Sequence, residues 1–201
     1  MKNIGALQRS NWASRPLCSR YRAVVLTAQE VELDKAGMSG VQTVWWALGD
    51  LDGGQLEILG YWRQSSLDPL TWSVIAFDLM VRGVERVQLA LISDDRGAIK
   101  WLGEFVGGGN ALPHPEESAE VPDVSPRLER CIARSVAASR RLRVALARAA
   151  RRQNVVEHEP SASAFLDREL QRLDRQLWSY PHDALPRPQR SRTAVPARAA
   201  G

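Results

Sequence analysis

Hydrophobic residues in the first half of the chain recur with the short period of β-strands. Apolar runs rich in β-branched residues occupy residues 21–33, 41–48 and 55–62, and turn-forming residues separate them. Runs of this length between turn signals predict strands, and the Asp52-Gly53 pair suits a tight two-residue turn. The three runs therefore predict an antiparallel meander.

The pattern changes to a helical period after residue 63. The apolar residues that would face a sheet are Leu70, Val74, Phe77 and Val81, with Ile75 and Leu79 alongside. Gly83 follows where a helix C-cap glycine belongs. Residues 84–92 predict a fourth strand that is buried on both faces, and residues 97–106 predict a second helix. The predicted order is β-β-β-α-β-α, with the fourth strand beside the first.

The second half of the chain predicts two amphipathic helices. Ser125 and Pro126 are a typical helix start, and Ser161 or Ser163 can cap the second helix. The two apolar stripes are Leu128, Ile132, Val136, Leu142 and Leu146, and then Leu166, Leu170, Leu173 and Leu177. A helical hairpin cannot bury both stripes by itself. It must pack on the first half or pair with another chain, and the sequence leaves both open.

These patterns divide the chain into five parts. A lead-in covers residues 1–20 and an α/β core covers 21–106, followed by a linker of glycine, proline and acids at 107–125. The arginine-rich helices occupy 126–180. The basic tail at 181–201 is rich in proline, arginine and alanine and is expected to be disordered.

Composition excludes several classes of protein. With 44% apolar and 25% charged residues, the 201-residue chain is typical of globular proteins. No apolar run has the length of a membrane span and no signal peptide is recognisable, so no membrane partner is expected. Two distant cysteines give no disulfide framework, and we expect a cytoplasmic protein. Cys131 is interpreted as a small core residue, and Asp50 and Asp52 as turn residues.

The net charge of +4 is unevenly distributed. Residues 1–112 carry −1 and residues 113–125 carry −4, whereas residues 126–201 carry +9 with sixteen arginines. A basic segment behind a near-neutral domain predicts contact with a nucleic acid, or simply a solvated helix face. The candidate DNA-binding residues are Arg140, Arg141, Arg143, Arg151 and Arg152.

The fourth predicted strand ends on two adjacent carboxylates, Asp94 and Asp95. Ligands bind at the carboxyl ends of strands in sheets covered by helices, and Mg²⁺ takes one or two carboxylates there. Aspartate also starts turns, so a plain solvated turn is the alternative.

Several motifs in one order resemble a known family. They are Trp12-Ala13-Ser14-Arg15-Pro16-Leu17, Tyr21, Val25-Leu26-Thr27-Ala28, Trp46-Ala47-Leu48-Gly49, Asp52-Gly53, Glu57-Ile58-Leu59-Gly60-Tyr61-Trp62, Trp72, Arg82-Gly83-Val84 and Leu91-Ile92-Ser93-Asp94. Across about residues 11–106 they resemble the catalytic core of mutator-type bacterial insertion-sequence transposases. The resemblance implies an α/β fold with a ribonuclease H-like β-β-β-α-β-α core, followed here by the arginine-rich helical hairpin.

The resemblance also implies an Asp-Asp-Glu triad that holds Mg²⁺ or Mn²⁺ for phosphodiester transfer. The second acid maps onto Asp94, with Asp95 as a stand-in. The first acid maps onto Thr27, whose neutral hydroxyl cannot replace a carboxylate, and the downstream Asn-x-x-Glu motif of the family is not found. The chain is therefore interpreted as a truncated or degenerate transposase.

Two functions follow from these patterns. The first is a transposase-like protein that acts on DNA but is catalytically incomplete, because its acidic triad is incomplete. Its cofactor would be Mg²⁺ or Mn²⁺ if it is active. The alternative is a non-catalytic DNA-binding or transposase-interacting protein that uses its basic helical half. A second copy of the chain or an intact transposase is then an expected protein partner.

Overall fold

The computed structural model describes residues 12–35, 38–63, 69–92, 110–113, 124–153 and 162–178. The predicted helix over 97–106, the carboxylates Asp94 and Asp95, and the tail at 181–201 lie outside these described residues.

Five strands and three helices make up the described part of the chain. In chain order they are β1 (Arg20–Lys35), β2 (Met38–Asp50), β3 (Leu56–Arg63), α1 (Pro69–Val81), β4 (Arg86–Ile92), β5 (Asn110–Pro113), α2 (Pro126–Gln153) and α3 (Ala162–Trp178). Ser125 precedes α2 as predicted, and its Oγ accepts a hydrogen bond from the Leu128 amide at 3.4 Å. Because α3 begins at Ala162, Ser163 lies inside the helix and does not cap it.

The strands form one sheet in the order β3-β2-β1-β4-β5. The first three strands pair antiparallel and β4 lies beside β1, as the sequence predicts, and the structure shows that β4 and β1 run parallel. Strand β5 was not predicted: Asn110–Pro113 falls within residues 107–125, interpreted as a linker, and pairs with β4 in parallel. Four residues behind three glycines are too few to display an apolar alternation.

Helices cover both faces of the sheet. Because side chains alternate along a strand, Val25 and Val31 of β1 face α2 and α3, whereas Val24 and Leu26 face α1. The predicted stripes of α2 and α3 lie in the same hydrophobic cluster as Val25. The two helices thus pack on the first half of the chain, which answers the question that the sequence leaves open.

Helix α1 packs through a different face from the one predicted. Ile75 is 0% and Leu79 5% exposed, but Val74, Phe77 and Val81 of the predicted stripe are 43%, 64% and 68% exposed. Apolar residues occur on all sides of this helix, so their period does not single out one face.

In the described part of the chain, two glycines adopt positive φ angles where the chain turns. Gly83 has φ 107° and ends α1 as predicted, with its amide donating to the carbonyl of Met80 at 3.0 Å. Between β2 and β3, Asp52 and Gly53 are the central residues of a turn as predicted, because the Gly54 amide donates to the carbonyl of Leu51 at 2.8 Å. The loop is longer than the predicted two residues, however, since the Leu51 amide donates to the carbonyl of Gln55 at 2.9 Å. The positive φ angle, 81°, belongs to Gly54. None of the described helices is long and apolar enough to cross a membrane.

Candidate functional site

Thr27 lies in the middle of the sheet, where β4 ends beside β1. The last β1–β4 pair is Leu26 with Ile92, and Thr27 is the next residue of β1. It is 2% exposed and faces α2, and its Oγ1 lies 3.2 Å from the Oγ of Ser139. Thr27, which the family resemblance maps onto a metal-binding acid, is therefore a buried hydroxyl that is hydrogen-bonded to a second buried hydroxyl.

This pair does not fit a divalent cation. Mg²⁺ and Mn²⁺ are held mainly by carboxylates, whose negative charge offsets the loss of hydration, and two alcohols supply no such charge. Ser139 was not singled out from the sequence, because its proximity to Thr27 arises only when α2 packs on β1.

The two predicted carboxylates, Asp94 and Asp95, follow the end of β4 at Ile92 and lie outside the described residues. Within the described ranges, no three histidine, cysteine or acidic residues are grouped as a metal site requires.

A buried ion pair joins α2 to the end of β2, closer to the start of the helix than Ser139. Asp50, the last residue of β2, is 0% exposed, and both its oxygens accept hydrogen bonds from Arg134 at 2.6–2.9 Å. The Ser135 hydroxyl donates to the same carboxylate at 3.2 Å. The interpretation of Asp50 as a turn residue misses this role, although strand alternation places it on the inward face with Leu48.

Cys131 lies one helical turn before Ser135 and is 1% exposed, which confirms the prediction of a core residue. Burial, reinforced by the neighbouring Asp50 carboxylate, raises the pKa of the Cys131 thiol to about 12. A buried thiol with a raised pKa is a poor nucleophile at neutral pH.

A second buried polar cluster joins the lead-in to β3 and α3. The Arg15 guanidinium lies between Glu57 and Asp174, with Nη2 at 3.4 Å and 3.3 Å from one oxygen of each. Trp12 donates its indole N–H to Asp174 at 3.1 Å, and Tyr21 donates its hydroxyl to Glu57. These bonds tie the lead-in, the sheet and α3 together.

In this cluster, burial disfavours the charged form of the carboxylates, and nearby hydrogen-bond donors and the Arg15 guanidinium offset part of that effect. Burial raises the pKa of Asp174, while the Ile58 amide, which donates at 2.6 Å, and the Arg15 guanidinium oppose that rise. Burial and the adjacent Glu57 raise the pKa of Tyr21. We interpret the cluster as a clamp that holds α3 on the sheet, since its members contact one another.

The candidate DNA-binding arginines share the outer side of α2. Arg140, Arg141, Arg143, Arg151 and Arg152 are all exposed, and so is Arg148 between them. From Arg130 to Gln153 the helix holds eight arginines and no acidic residue. The structure thus brings the predicted arginines together on one exposed surface.

Comparison with models of protein families matches residues 6–106, half of the chain, to the family described as "Transposase, Mutator family". No curated protein sequence matches the chain. The matched residues include β1 to β4 and α1. Thr27, Asp94 and Asp95 all lie within the matched range. Strand β5 and helices α2 and α3 lie outside them.

Proposed function

Because the chain belongs to the Mutator family of transposases, we propose that it is a transposase-like protein that associates with DNA but has lost phosphodiester chemistry. Its sheet supports the ribonuclease H-like architecture that the resemblance implies. Strands β1, β2 and β3 form an antiparallel meander, β1, β4 and β5 run parallel, and helices cover both faces.

The observation that carries this proposal is the contact between Thr27 and Ser139. In the family resemblance the first acid maps onto Thr27, and the third acid comes from a helix far downstream. Among the described downstream helices, the one that packs over Thr27 is α2, and the residue that it presents there is Ser139, not an acid. With neutral groups at both positions, Asp94 and Asp95 alone make a poor ligand set for a divalent cation.

The first test measures chemistry directly. The full chain is incubated with Mg²⁺ or Mn²⁺, supercoiled plasmid and labelled duplex DNA, and nicking and strand joining are followed. We expect no activity above that of the Asp94→Ala/Asp95→Ala variant, which controls for contaminating nuclease. Metal-dependent cleavage that disappears in that variant would contradict the proposal.

The second test restores the missing charges. If the two positions are those of the lost acids, Thr27→Asp combined with Ser139→Glu should bind Mn²⁺ more tightly than the unaltered chain, and Mn²⁺ should raise its melting temperature. The matched control is Thr27→Asn/Ser139→Gln, which has nearly the same shape without charge. Mn²⁺ titrations that are identical for both variants would refute the assignment of these positions.

A further inference from the structure

We propose that the outer side of α2 is a DNA-binding surface that contacts the phosphate backbone of a duplex irrespective of base sequence. This inference rests on the proposed function for its choice of DNA as the partner. We call the surface the arginine face; it consists of Arg140, Arg141, Arg143, Arg148, Arg151 and Arg152.

The geometry of the helix aligns these side chains. At about 100° per residue, the six arginines fall within about half of the helix circumference, and Leu142 and Leu146 lie on the opposite, buried side. At 1.5 Å per residue the face extends for about 18 Å, roughly five base pairs of a duplex. Because the other side of α2 is packed on the sheet, the arginine face points outward on a fixed support.

The charge pattern distinguishes this face from an ordinary solvated helix. Solvated helices usually carry both signs at neighbouring positions, as α3 does, where Glu169 pairs with Arg172 at 2.9 Å. Helix α2 has no acid after Glu129. Six like charges along one side are unfavourable for a free helix and favourable beside a polyanion.

The side chains available favour contact with phosphates over base reading. Arginine forms bidentate hydrogen bonds with phosphate oxygens, and backbone contacts of this kind carry no sequence information. Arginine can also read guanine, but between Arg140 and Arg152 the helix has no asparagine or glutamine, the residues that read adenine, so this face lacks a mixed set of base-reading side chains. The surface also lies outside the family match at 6–106, so that match does not account for it.

The test is a binding titration of the full chain in EDTA, by fluorescence anisotropy, with two DNA duplexes of unrelated sequence and one RNA duplex. We expect similar affinities for the two DNA duplexes. The logarithm of the binding constant should fall with the logarithm of salt concentration with a slope of up to about −5, since each phosphate contact contributes about −0.9. The variant Arg141→Gln/Arg148→Gln/Arg152→Gln should lose about half of this slope and bind at least about tenfold more weakly.

The matched control is Arg20→Gln/Arg86→Gln/Arg175→Gln, which removes the same charge from exposed positions outside α2. Its affinity should stay within about threefold of the unaltered chain. Equal losses in both triple variants, or no loss in the α2 variant, would overturn the inference. Tighter binding of the RNA duplex would overturn DNA as the partner, and strong preference for one DNA sequence would overturn backbone recognition.

The binding titration tests the inference about the arginine face separately from the loss of phosphodiester chemistry. Binding in EDTA requires no phosphodiester chemistry, so metal-dependent cleavage would refute the proposed function and leave the titration result unchanged. Conversely, a chain that neither cuts DNA nor depends on α2 for binding would refute only the inference about the arginine face.

Discussion

Arg134 of α2 holds both carboxylate oxygens of Asp50, 84 positions earlier in the chain. The pair fastens the first half of α2 to the end of β2, and Ser135 donates a further hydrogen bond to the same carboxylate. Since Asp50 is fully buried, these donors replace the water that the carboxylate loses on folding. The ion pair thus adds a polar attachment to the apolar packing that holds α2, and with it the arginine face, on the sheet.

Removing the cation should be costly. We expect Arg134→Ala to lower the free energy of unfolding by about 3–5 kcal/mol, because it leaves a buried charge without its partner. The control is Arg148→Ala, an exposed arginine of the same helix, which should change stability by no more than about 0.5 kcal/mol. Urea denaturation followed by circular dichroism compares the two, and equal losses would show that the ion pair is unimportant.

The hydroxyl contact between Thr27 and Ser139 can be measured with a double-mutant cycle. Thr27→Val keeps the shape of the side chain but leaves the Ser139 hydroxyl buried without this partner, which should cost about 1–3 kcal/mol. Ser139→Ala should cost a similar amount for the same reason. The double variant should cost less than the two losses together, because no unsatisfied group remains.

One outcome of the double-mutant cycle would contradict an interaction between Thr27 and Ser139. If the two single losses in the free energy of unfolding simply add, the hydroxyls do not interact, and the assignment of Ser139 as the residue opposite Thr27 is wrong. The same urea denaturation measures all four proteins.

The packing face of α1 predicts unequal effects for two neighbouring apolar residues. Ile75→Ala should destabilise the chain by about 2–5 kcal/mol, since Ile75 is fully buried against the sheet. Phe77→Ala should cost less than about 1 kcal/mol, because Phe77 is 64% exposed. Thermal denaturation ranks the stability of the two variants. A larger loss of stability for Phe77→Ala would show that α1 packs through the face predicted from the sequence.

Strong periodic patterns made most of this fold predictable. The long apolar runs of β1 and β2 and the leucine stripes of α2 and α3 predict elements of the right type at nearly the right places. The face of α1 was not predictable, since apolar residues surround it. Strand β5 was not predictable either, because its four residues form a strand only by pairing with β4.

The site was less predictable, because its important contacts join distant parts of the chain. Thr27 could be singled out by resemblance, and the α2 arginines by charge. Ser139 gave no signal, since a serine within a helix is common and its partner is 112 residues away. The role of Arg15 was also hidden, because Glu57 and Asp174 meet only when α3 packs on β3.

Asp174 gives the clamp on α3 a defined pH dependence. Burial raises the pKa of its carboxyl in the folded chain above the ordinary value of 3.8. A raised pKa means that the folded state holds the proton more tightly than the unfolded state does. The stability from this group is therefore fully present below about pH 4 and is lost as the pH rises through the raised value.

The Asp174→Asn variant isolates this effect, because asparagine has nearly the same shape and does not ionise. In this variant an NH₂ donor faces the N–H donors of Trp12 and Arg15, which lowers stability at every pH. The informative quantity is therefore how the difference in the free energy of unfolding between the two proteins changes with pH. We expect the unaltered chain to lose stability relative to Asp174→Asn as the pH rises from about 3.5 to 7. Urea denaturation at several pH values measures this difference. If the unaltered chain instead gained stability relative to the variant, Arg15 and the Ile58 amide would outweigh burial in setting the pKa of Asp174.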